Sequence, residues 1–275
     1  MQAAVDLGLT NTDIIVRQDD TSPLQEFILP TMQHEPMMQL RGAIKETGWA
    51  MDDFEWVAVT GGQYRSLPEQ SGAVRLVKVN EVDAIGRGGL HLARLERALV
   101  VSAGSGTAMV AARGGESQHI TGSAVGGGTL QGLGRLILGT ADALEIDALA
   151  SQGDANVVDL TLIEAIGGTV GDLPKDANAV NFGRVARQDI TPSPEDTAAG
   201  LVRVVAQVIA VISINAARDE QLETIIVIGH LVDLPSICRE LDTVAGYYSA
   251  DIRVPPQPGF GTAVGALLYA ECGKD

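Results

Sequence analysis

The amino-acid sequence predicts an α/β protein built from two similar halves, and three of its patterns support this prediction. Short apolar runs typical of buried strands alternate with segments of helical periodicity along the 275 residues. A strand, a turn rich in glycine and threonine, and a second strand occur over residues 1–16 and again over residues 98–112. Three consecutive glycines at 126–128 then lead into a helical pattern. The repeated hairpin indicates that each half supplies one turn facing a phosphate.

Composition narrows the classes of function. The chain is 45% hydrophobic and 20% charged, as in soluble globular proteins, and its net charge of −16 argues against a nucleic-acid partner. Two cysteines, Cys238 and Cys272, are too few for a disulfide framework, which predicts a reducing compartment. The sequence does not begin with a secretion-signal pattern, and its best membrane-span candidate, residues 201–217, contains Arg203 and Gln207. We expect a cytoplasmic protein that binds neither membranes nor nucleic acid.

The first half begins with a predicted strand at residues 3–7, a polar turn and a second strand at residues 14–16. Asp6 ends the first strand, and a carboxylate beside a turn of amide and hydroxyl donors can hold Mg²⁺ next to a nucleotide phosphate. An ordinary hairpin turn has the same pattern, so both interpretations stay open. The next predicted elements are a helix at 35–47, strands at 56–60 and 74–79, and a helix at 81–93. Glu81 lies in the first turn of that last helix, where acids also occur simply because they complement the helix dipole.

The second half repeats the plan, with a strand at residues 98–102, a turn at 104–107 and a strand at 108–112. The glycine run at 126–128 follows, with Thr129 and a helix directly after it. Glycine has no Cβ and a helix N-terminus exposes amide groups, so this stretch offers unpaired N–H groups to an anion such as phosphate. A tight turn before a core helix would have the same sequence, and that alternative stays open.

The rest of the second half continues the alternation of helices and strands. The predicted helices lie at 141–151, at 195–218, from about Leu234, and at 263–270, and the predicted strands lie at 223–229 and 252–254. Further apolar segments lie at 157–160 and 163–166, and a loop is predicted at 167–174. The helix at 195–218 is apolar over more than one face, which predicts burial against a sheet or a second subunit. On that basis we expect a homodimer, while burial of both faces within one subunit is the alternative.

Seven motifs follow one another along the chain. They are DLGLTNTD at 6–13, NEVDAIGRGG at 80–89, AGSGT at 103–107, TGSAVGGGTLQGLGRLILG at 121–139, VNFG at 180–183, IVIGH at 226–230 and GFGTAVGALL at 259–268. In order and spacing they resemble the type II (eukaryotic-type) pantothenate kinases, a family of the acetate kinase–hexokinase–actin superfamily. The resemblance covers nearly the whole chain, and its most specific parts are the glycine-run motif and the final motif.

The resemblance implies two ribonuclease-H-like domains of the actin-like ATPase type, residues 1–96 and 97–275, with a nucleotide in the cleft between them and the last helix packed back on the first domain. It also implies ATP and Mg²⁺ as cofactors, a small-molecule substrate with a hydroxyl group, and a dimer. Glu81 would be the catalytic base that accepts the hydroxyl proton, and Asp6 the metal ligand. The implied nucleotide-binding residues are Asp6, Gly8, Thr10, Asn11, Thr12, Gly104, Gly126, Gly127, Gly128, Thr129 and Gly229, and the implied substrate-binding residues are Ser105, Gly106, Thr107 and His119.

Three positions depart from the family's pattern. Asp13 stands where these kinases usually have a lysine that reaches the phosphates, His119 where they usually have an arginine, and Ala108 where a serine is common. The loss of two cations is a large electrostatic change, because an acid at position 13 repels a triphosphate unless it helps to hold Mg²⁺. These departures weaken the assignment of pantothenate as the substrate more than they weaken the assignment of the fold.

Several functions therefore stay open. The leading one is ATP-dependent phosphorylation of pantothenate to 4'-phosphopantothenate, and a second is phosphorylation of a different small alcohol or sugar in the same cleft. A nucleotide-binding regulator that has lost its cations is a non-catalytic alternative, which the presence of Asp6 and Glu81 disfavours. A redox-coupled ATPase activator of the same superfamily is also disfavoured, because no paired cysteines are placed to hold an iron–sulfur cluster between subunits.

Overall fold

Two large mixed β-sheets form the framework of the protein and confirm the predicted α/β class. The computed structural model describes residues 1–19, 21–31 and 35–273. The strands are β1 (Gln2–Leu7), β2 (Asn11–Arg17), β3 (Gln25–Pro30), β4 (Trp56–Gly61), β5 (Gln70–Ser71), β6 (Val74–Lys78), β7 (Arg97–Ala103), β8 (Thr107–Arg113), β9 (Glu116–Ser123), β10 (Leu160–Thr161), β11 (Asn178–Val180), β12 (Thr224–Ile228) and β13 (Asp251–Arg253). The short strands β10 and β11 form a separate pair.

The two large sheets have the same strand order. The first sheet runs β3-β2-β1-β4-β6-β5 and the second runs β9-β8-β7-β12-β13. In each sheet the first three strands are antiparallel neighbours. In the first sheet β4 lies parallel to β1, and β6 lies parallel to β4. In the second sheet β12 lies parallel to β7, and β13 lies parallel to β12. The first sheet has the additional edge strand β5, which is antiparallel to β6. This repetition agrees with the duplicated plan expected from the two hairpins.

The helix that follows each sheet in the chain packs on the other sheet. The helices are α1 (Pro36–Glu46), α2 (Glu81–Ala93), α3 (Gly127–Ile137), α4 (Ala143–Ala150), α5 (Leu162–Ile166), α6 (Pro194–Asp219), α7 (Pro235–Tyr248) and α8 (Gly261–Cys272). Ile85 of α2 is buried with Val100 of the second sheet, whereas Leu267 of α8 is buried with Ala4 and Ala58 of the first. The two helices therefore tie the halves together.

The backbones of α2 and α8 touch where they cross, and glycine permits this contact. A Cβ on Gly88 would overlap the carbonyl oxygen of Gly261, and a Cβ on Gly265 would overlap that of Ala84. The predicted domain boundary between residues 96 and 97 falls directly before β7. Because α2 and α8 each cover the sheet of the opposite half, the division into two domains stays a prediction.

The long helix α6 is buried within the chain. It packs against β7, β8, β9 and β12 and against α3, α4 and α7. Of the described helices it alone is long and apolar enough to cross a membrane, yet 56% of its most apolar segment is buried inside the protein. Such burial is typical of a core helix, so packing within one subunit explains the wide apolar surface. The prediction of a homodimer therefore loses the support it drew from this helix.

The sequence pattern does not predict the edge strands β3, β5 and β9. β9 has the polar sequence ESQHITGS, and all its side chains are partly or fully exposed, so it lacks the apolar alternation of a half-buried strand. Its last residues, 121–123, belong to the stretch expected to lead into the glycine run. The apolar segment at 163–166 lies in the short helix α5. The remaining predicted helices and strands are present, with small shifts of their ends.

Candidate active site

A cleft with a volume of about 530 Å³ opens between the two sheets. Its walls include Gly8, Gly104 and Gly229, which follow the carboxyl ends of β1, β7 and β12. Ligands of α/β proteins usually bind at this end of the strands. The predicted site residues that line the cleft are Asp6, Gly8, Thr10, Asn11, Glu81, Gly104, Ser105, Gly106, Thr107, Gly127 and Gly229. The fold therefore brings residues from distant parts of the chain into one candidate site.

The turn at residues 8–10 and the turn at residues 104–106 meet across the cleft. The hydroxyl oxygens of Thr10 and Ser105 are 2.7 Å apart, within hydrogen-bond distance. No hydrogen bond between the described residues uses the backbone amide of Thr10, Ser105 or Gly106. Unpaired amides in glycine-containing turns can bind phosphate oxygens. The two turns thus offer anion-binding groups from both halves of the protein.

The amides of the glycines at the start of α3 are paired, whereas the sequence pattern predicts unpaired amides there. The amide of Gly127 donates to the carbonyl oxygen of Gly104 at 2.8 Å, and the amide of Gly128 donates to that of Ser105 at 2.9 Å. A Cβ on Gly126 would lie 2.8 Å from the carbonyl oxygen of Ser105. The expectation of unpaired amides is therefore wrong for Gly127 and Gly128, because the neighbouring turn already accepts their hydrogen bonds. The glycine run lets the start of α3 hold the turn at 104–106 in place.

Three carboxylates face the cleft from the first half. Asp6 and Asp13 lie opposite each other on β1 and β2, and Glu81 lies at the start of α2. The Oδ1 atom of Asp6 is buried without a hydrogen-bond partner among the described residues. Burial, together with the charges of Asp13 and Glu81, raises the pKa of Asp6 to about 8, although the charge of His230 opposes them. A buried carboxylate with a strongly raised pKa in a cleft is a candidate functional group.

Glu81 is the first residue of α2, and the helix begins there because Asn80 caps it. The Asn80 side chain accepts a hydrogen bond from the amide of Val82 at 3.0 Å. Glu81 is open to the cleft, yet the surrounding walls remove enough water that burial raises the pKa of its carboxyl above the ordinary value. A carboxylate with a raised pKa that still faces a ligand cavity is suited to accept a proton near neutral pH.

The oxygen atoms at the end of β1 fit a magnesium ion. Magnesium in nucleotide sites is usually held by one or two carboxylates together with phosphate oxygens and water. The unpartnered Oδ1 of Asp6 lies in the same cleft as the two turns with unpaired amides. The described residues contain no group of three or more side chains that could hold a metal ion by themselves. This donor set suits an ion that arrives with a nucleotide.

His230, the last residue of the motif at 226–230, lies in the cleft beside Asp13, although it is not among the expected site residues. Its Nε2 is 2.9 Å from Oδ1 of Asp13, and its Nδ1 is 2.6 Å from Oδ2 of Asp233. Burial lowers the pKa of His230, but the hydrogen bonds and charges of the two carboxylates outweigh burial and raise the pKa to about 10. Asp13 therefore faces a positive charge that comes from the other half of the protein.

The structure places some expected site residues outside the cleft walls, namely Thr12, His119, Gly126, Gly128 and Thr129. Thr12 lies on the opposite face of β2 from its neighbours, because side chains alternate along a strand, and its hydroxyl accepts a hydrogen bond from Gln39 at 2.9 Å. His119 is exposed on the edge strand β9. The Thr129 hydroxyl donates to the carbonyl oxygen of Ala124 at 3.1 Å and so fixes the start of α3.

Comparison with known proteins identifies relatives of this chain. Residues 93–269 match the model of the family described as Fumble. The type II pantothenate kinase of Staphylococcus haemolyticus is 29% identical over 194 residues, which cover 68% of this chain and 73% of that protein. The type II pantothenate kinase of Bacillus anthracis is 25% identical over 226 residues, which cover 78% of this chain and 80% of that protein.

Solved structures with the same fold include an ATP-analogue complex and a sugar kinase. The activator of the 2-hydroxyisocaproyl-CoA dehydratase from Clostridium difficile with bound ADPNP has a TM-score of 0.68 at 16% identity, and the match covers 99% of this chain and 94% of that chain. The ROK hexokinase from Thermus thermophilus has a TM-score of 0.53 at 15% identity, with coverage of 98% and 99%. At these identities the likeness shows the fold alone. The family match spans more than half of the chain, so the protein belongs to the Fumble family and is an ATP-dependent small-molecule kinase with the actin-like ATPase fold.

Proposed function

We propose that this kinase transfers the γ-phosphoryl group of ATP to the hydroxyl group of pantothenate, which gives 4'-phosphopantothenate. The observation that carries the proposal is the convergence of Asp6, Glu81 and the two turns with unpaired amides on one cleft. The names of the relatives, which are type II pantothenate kinases, support pantothenate as the first substrate to test.

In this proposal Glu81 is the general base. Its carboxylate accepts the hydroxyl proton while the hydroxyl oxygen bonds to the γ-phosphorus and the bond from that phosphorus to the bridging oxygen of ADP breaks. Phosphoryl transfer depends mainly on positioning and charge neutralisation, and a general base contributes about 10²–10⁴-fold to the rate. The raised pKa of Glu81 strengthens it as a base.

The phosphates would be held by groups from both halves. The amides of Thr10, Ser105 and Gly106 would donate to phosphate oxygens. Asp6 would hold Mg²⁺, which when bound neutralises charge on those oxygens. Gly229, with a φ of 101° and its backbone against Ala103, would lie at the adenosine end of the cleft.

A second candidate substrate is an uncharged alcohol or sugar. Pantothenate carries a carboxylate, and the described residues that line the cleft include no lysine or arginine to pair with it. His119, the residue expected to take part in substrate binding, is exposed on β9 outside the cleft walls. This shortage of cations favours a substrate with hydroxyl groups and no negative charge.

We further propose that the kinase is a cytoplasmic homodimer that uses a different surface from the one first expected. Helices α3 and α4 pack on each other, and their side chains Leu136 and Leu144 are 82% and 70% exposed. Exposed apolar side chains on adjacent helices are typical of an interface, and a second copy would cover them. Light scattering should report a dimer for the wild type and a monomer for Leu136→Arg; a monomeric wild type at micromolar concentration would contradict the proposal.

The substrate is tested by an ADP-release assay coupled to a visible readout. Pantothenate and a panel of uncharged small alcohols and sugars are offered separately, with ATP and Mg²⁺, and the release without any alcohol is subtracted. Release that depends on pantothenate supports the proposal, and release that depends only on an uncharged compound supports the second candidate. Release that no compound stimulates counts against both substrates.

A further inference from the structure

Charge is distributed unevenly in the cleft. Three carboxylates line it, those of Asp6, Asp13 and Glu81, and a bound nucleotide would add further negative charge. His230 is the one side chain lining the described cleft that carries a positive charge. Sites that stabilise phosphoryl transfer need fixed positive groups close to the phosphates. His230 is therefore the side chain in the cleft wall that can meet this need.

The hydrogen bonds of His230 set its protonation. Each ring nitrogen faces a carboxylate oxygen, Nδ1 towards Asp233 at 2.6 Å and Nε2 towards Asp13 at 2.9 Å. An ionised carboxylate can only accept a hydrogen bond, so each ring nitrogen must donate. The ring is then an imidazolium, a conclusion that the raised pKa of His230 also supports.

Three contacts hold the ring of His230 to the second half of the protein. Asp233 lies in the same short helical turn as His230, and the backbone of Gly259 lies so close to the ring that a Cβ there would overlap it. The ring of Phe260 contacts it edge-on, with centroids 5.8 Å apart at 81°. Asp13 is the partner from the first half; it contacts Nε2, and both residues line the cleft. The contact with Asp13 is therefore the one that can exchange without moving the ring.

We propose that His230 is a positioning residue for the nucleotide, and that its Nε2–H exchanges the carboxylate of Asp13 for a phosphate oxygen when the nucleotide binds. This inference rests on the proposed function, because it places the phosphates between the two turns. Asp233 keeps the ring charged and oriented throughout. Asp13 then competes with the nucleotide for one hydrogen bond.

The competition predicts opposite effects for two neighbouring substitutions. His230→Gln removes the positive charge and should weaken binding of a non-hydrolysable ATP analogue by about tenfold or more, as loss of a hydrogen bond to a charged group does. Asp13→Asn removes the competing charge and should leave the affinity equal or make it several-fold tighter. Asp233→Asn frees one side of the ring and should weaken binding less than His230→Gln does.

The test is calorimetry on the full chain with the ATP analogue and Mg²⁺, in the absence of any alcohol. Weaker binding by His230→Gln, together with equal or tighter binding by Asp13→Asn, supports the inference. If the bridge only holds the two halves together, both substitutions break it and shift the affinity in the same direction, which overturns the inference. His230→Lys restores a positive charge, and it should regain part of the lost affinity if His230→Gln is folded but weak.

These outcomes are separate from those of the proposed function. A protein that binds the nucleotide and phosphorylates none of the compounds offered contradicts the proposed substrates but leaves the comparison of His230→Gln with Asp13→Asn intact. A wild type that binds no nucleotide overturns both.

Discussion

The two hairpins that meet across the cleft are built alike but are held in place by different groups. In the first half, Thr31 follows β3, and its hydroxyl donates to the carbonyl oxygen of Gly8 at 2.8 Å while its amide donates to that of Thr10 at 2.8 Å. In the second half, the amides of Gly127 and Gly128 hold the corresponding turn. The chain that leaves the third strand thus fixes the turn in both halves. The comparison explains the glycine run as a clamp on the turn that would bind phosphate.

Charge is the second difference between the halves. Asp6 pairs with Asp13 across β1 and β2, whereas the corresponding pair across β7 and β8 is Ser102 with Ala108. Glu81 also follows the first sheet. The carboxylates of the first hairpin can hold a cation, and the second hairpin, with a neutral pair at this position and unpaired amides, can approach an anion without repulsion. Unequal charge on similar backbones therefore suits the cleft to a nucleotide and its metal ion.

The largest expected effect tests whether Glu81, a carboxylate of the first half, is the general base of the reaction. Glu81→Gln keeps the size of the side chain but removes its ability to accept a proton. We expect turnover to fall by about 10²-fold or more, with unchanged affinity for the nucleotide. Steady-state kinetics with the best compound of the substrate panel, together with calorimetry, measure the two quantities.

Asp83→Asn is the matched control for that substitution. Asp83 lies two residues further along α2 and does not line the cleft. Its substitution should change turnover by less than about threefold. It removes a negative charge from the same end of the helix, but that charge does not contact the reacting groups. Near wild-type turnover in Glu81→Gln would refute the assignment of Glu81 as the general base, but it would not contradict the assignment of the protein as a kinase.

The next effect concerns helices α2 and α8, each of which packs on the sheet of the opposite half. Gly265→Val places a branched side chain where the backbone of α2 touches α8. Overpacking of this kind should lower the free energy of unfolding by about 2–3 kcal/mol, measured by urea unfolding. Trp49 and Trp56, both in the first half, should report by fluorescence the same loss of stability that circular dichroism reports for the whole chain.

A glycine without close neighbours gives the control. A Cβ on Gly132 of α3 meets nothing within 4 Å, so Gly132→Ala should raise stability by up to about 1 kcal/mol through helix propensity. Equal stability of Gly265→Val and wild type would show that the crossing of α2 and α8 does not fix the halves.

The clamp on the second turn predicts a smaller effect, on binding. In Gly126→Ala the new Cβ would lie 2.8 Å from the carbonyl oxygen of Ser105 and 2.9 Å from that of Gly104, so the turn at 104–106 must shift. We expect affinity for the ATP analogue to fall by about tenfold, which corresponds to about 1.4 kcal/mol. Gly132→Ala again serves as the control and should bind as the wild type does. Unchanged affinity in Gly126→Ala would show that the turn does not contact the phosphates.

The sequence predicts the fold well because its strongest signals are local. Apolar runs, turn residues and helix starts, such as the capping by Asn80, depend on neighbours in the chain. The edge strand β9 is missed because an exposed polar strand carries no apolar alternation. Gly126–128 are correctly placed at a helix start, but the carbonyl oxygens that accept from the amides of Gly127 and Gly128 lie some twenty residues upstream, where periodicity gives no information.

The site is less predictable for the same reason. The hydrogen bond between Asp13 and His230 joins residues 217 positions apart, and no local pattern connects them. Thr12 appears equivalent to Asn11 in a turn motif, yet the alternation of the strand turns it to the opposite face. The shared position of Asp6 and Glu81 in one cleft follows from the strand order and from the resemblance, not from spacing.

The last expected effect is a dependence of stability on pH that arises from the link between the halves. The pKa of His230 is about 10 in the folded protein, above its ordinary value of 6.5, because the pull of Asp13 and Asp233 exceeds the opposite effect of burial. The folded state therefore binds this proton more tightly than the unfolded state does. The resulting stabilisation is complete below about pH 6.5 and is lost as the pH rises towards 10.

His230→Gln lacks this proton, so its stability provides the reference across that window. The free energy of unfolding of the wild type should fall relative to that of His230→Gln by up to about 1 kcal/mol per pH unit. Urea unfolding of both proteins at several values between about pH 6.5 and about pH 9.5 measures the difference, and the titration of groups that do not interact with His230 cancels in it. Asp13→Asn should reduce the slope, since it removes one of the two charges that hold the proton. A difference that stays constant with pH would show that the ring of His230 is neutral. The second half would then supply no positive charge to the carboxylates of the first half at this position.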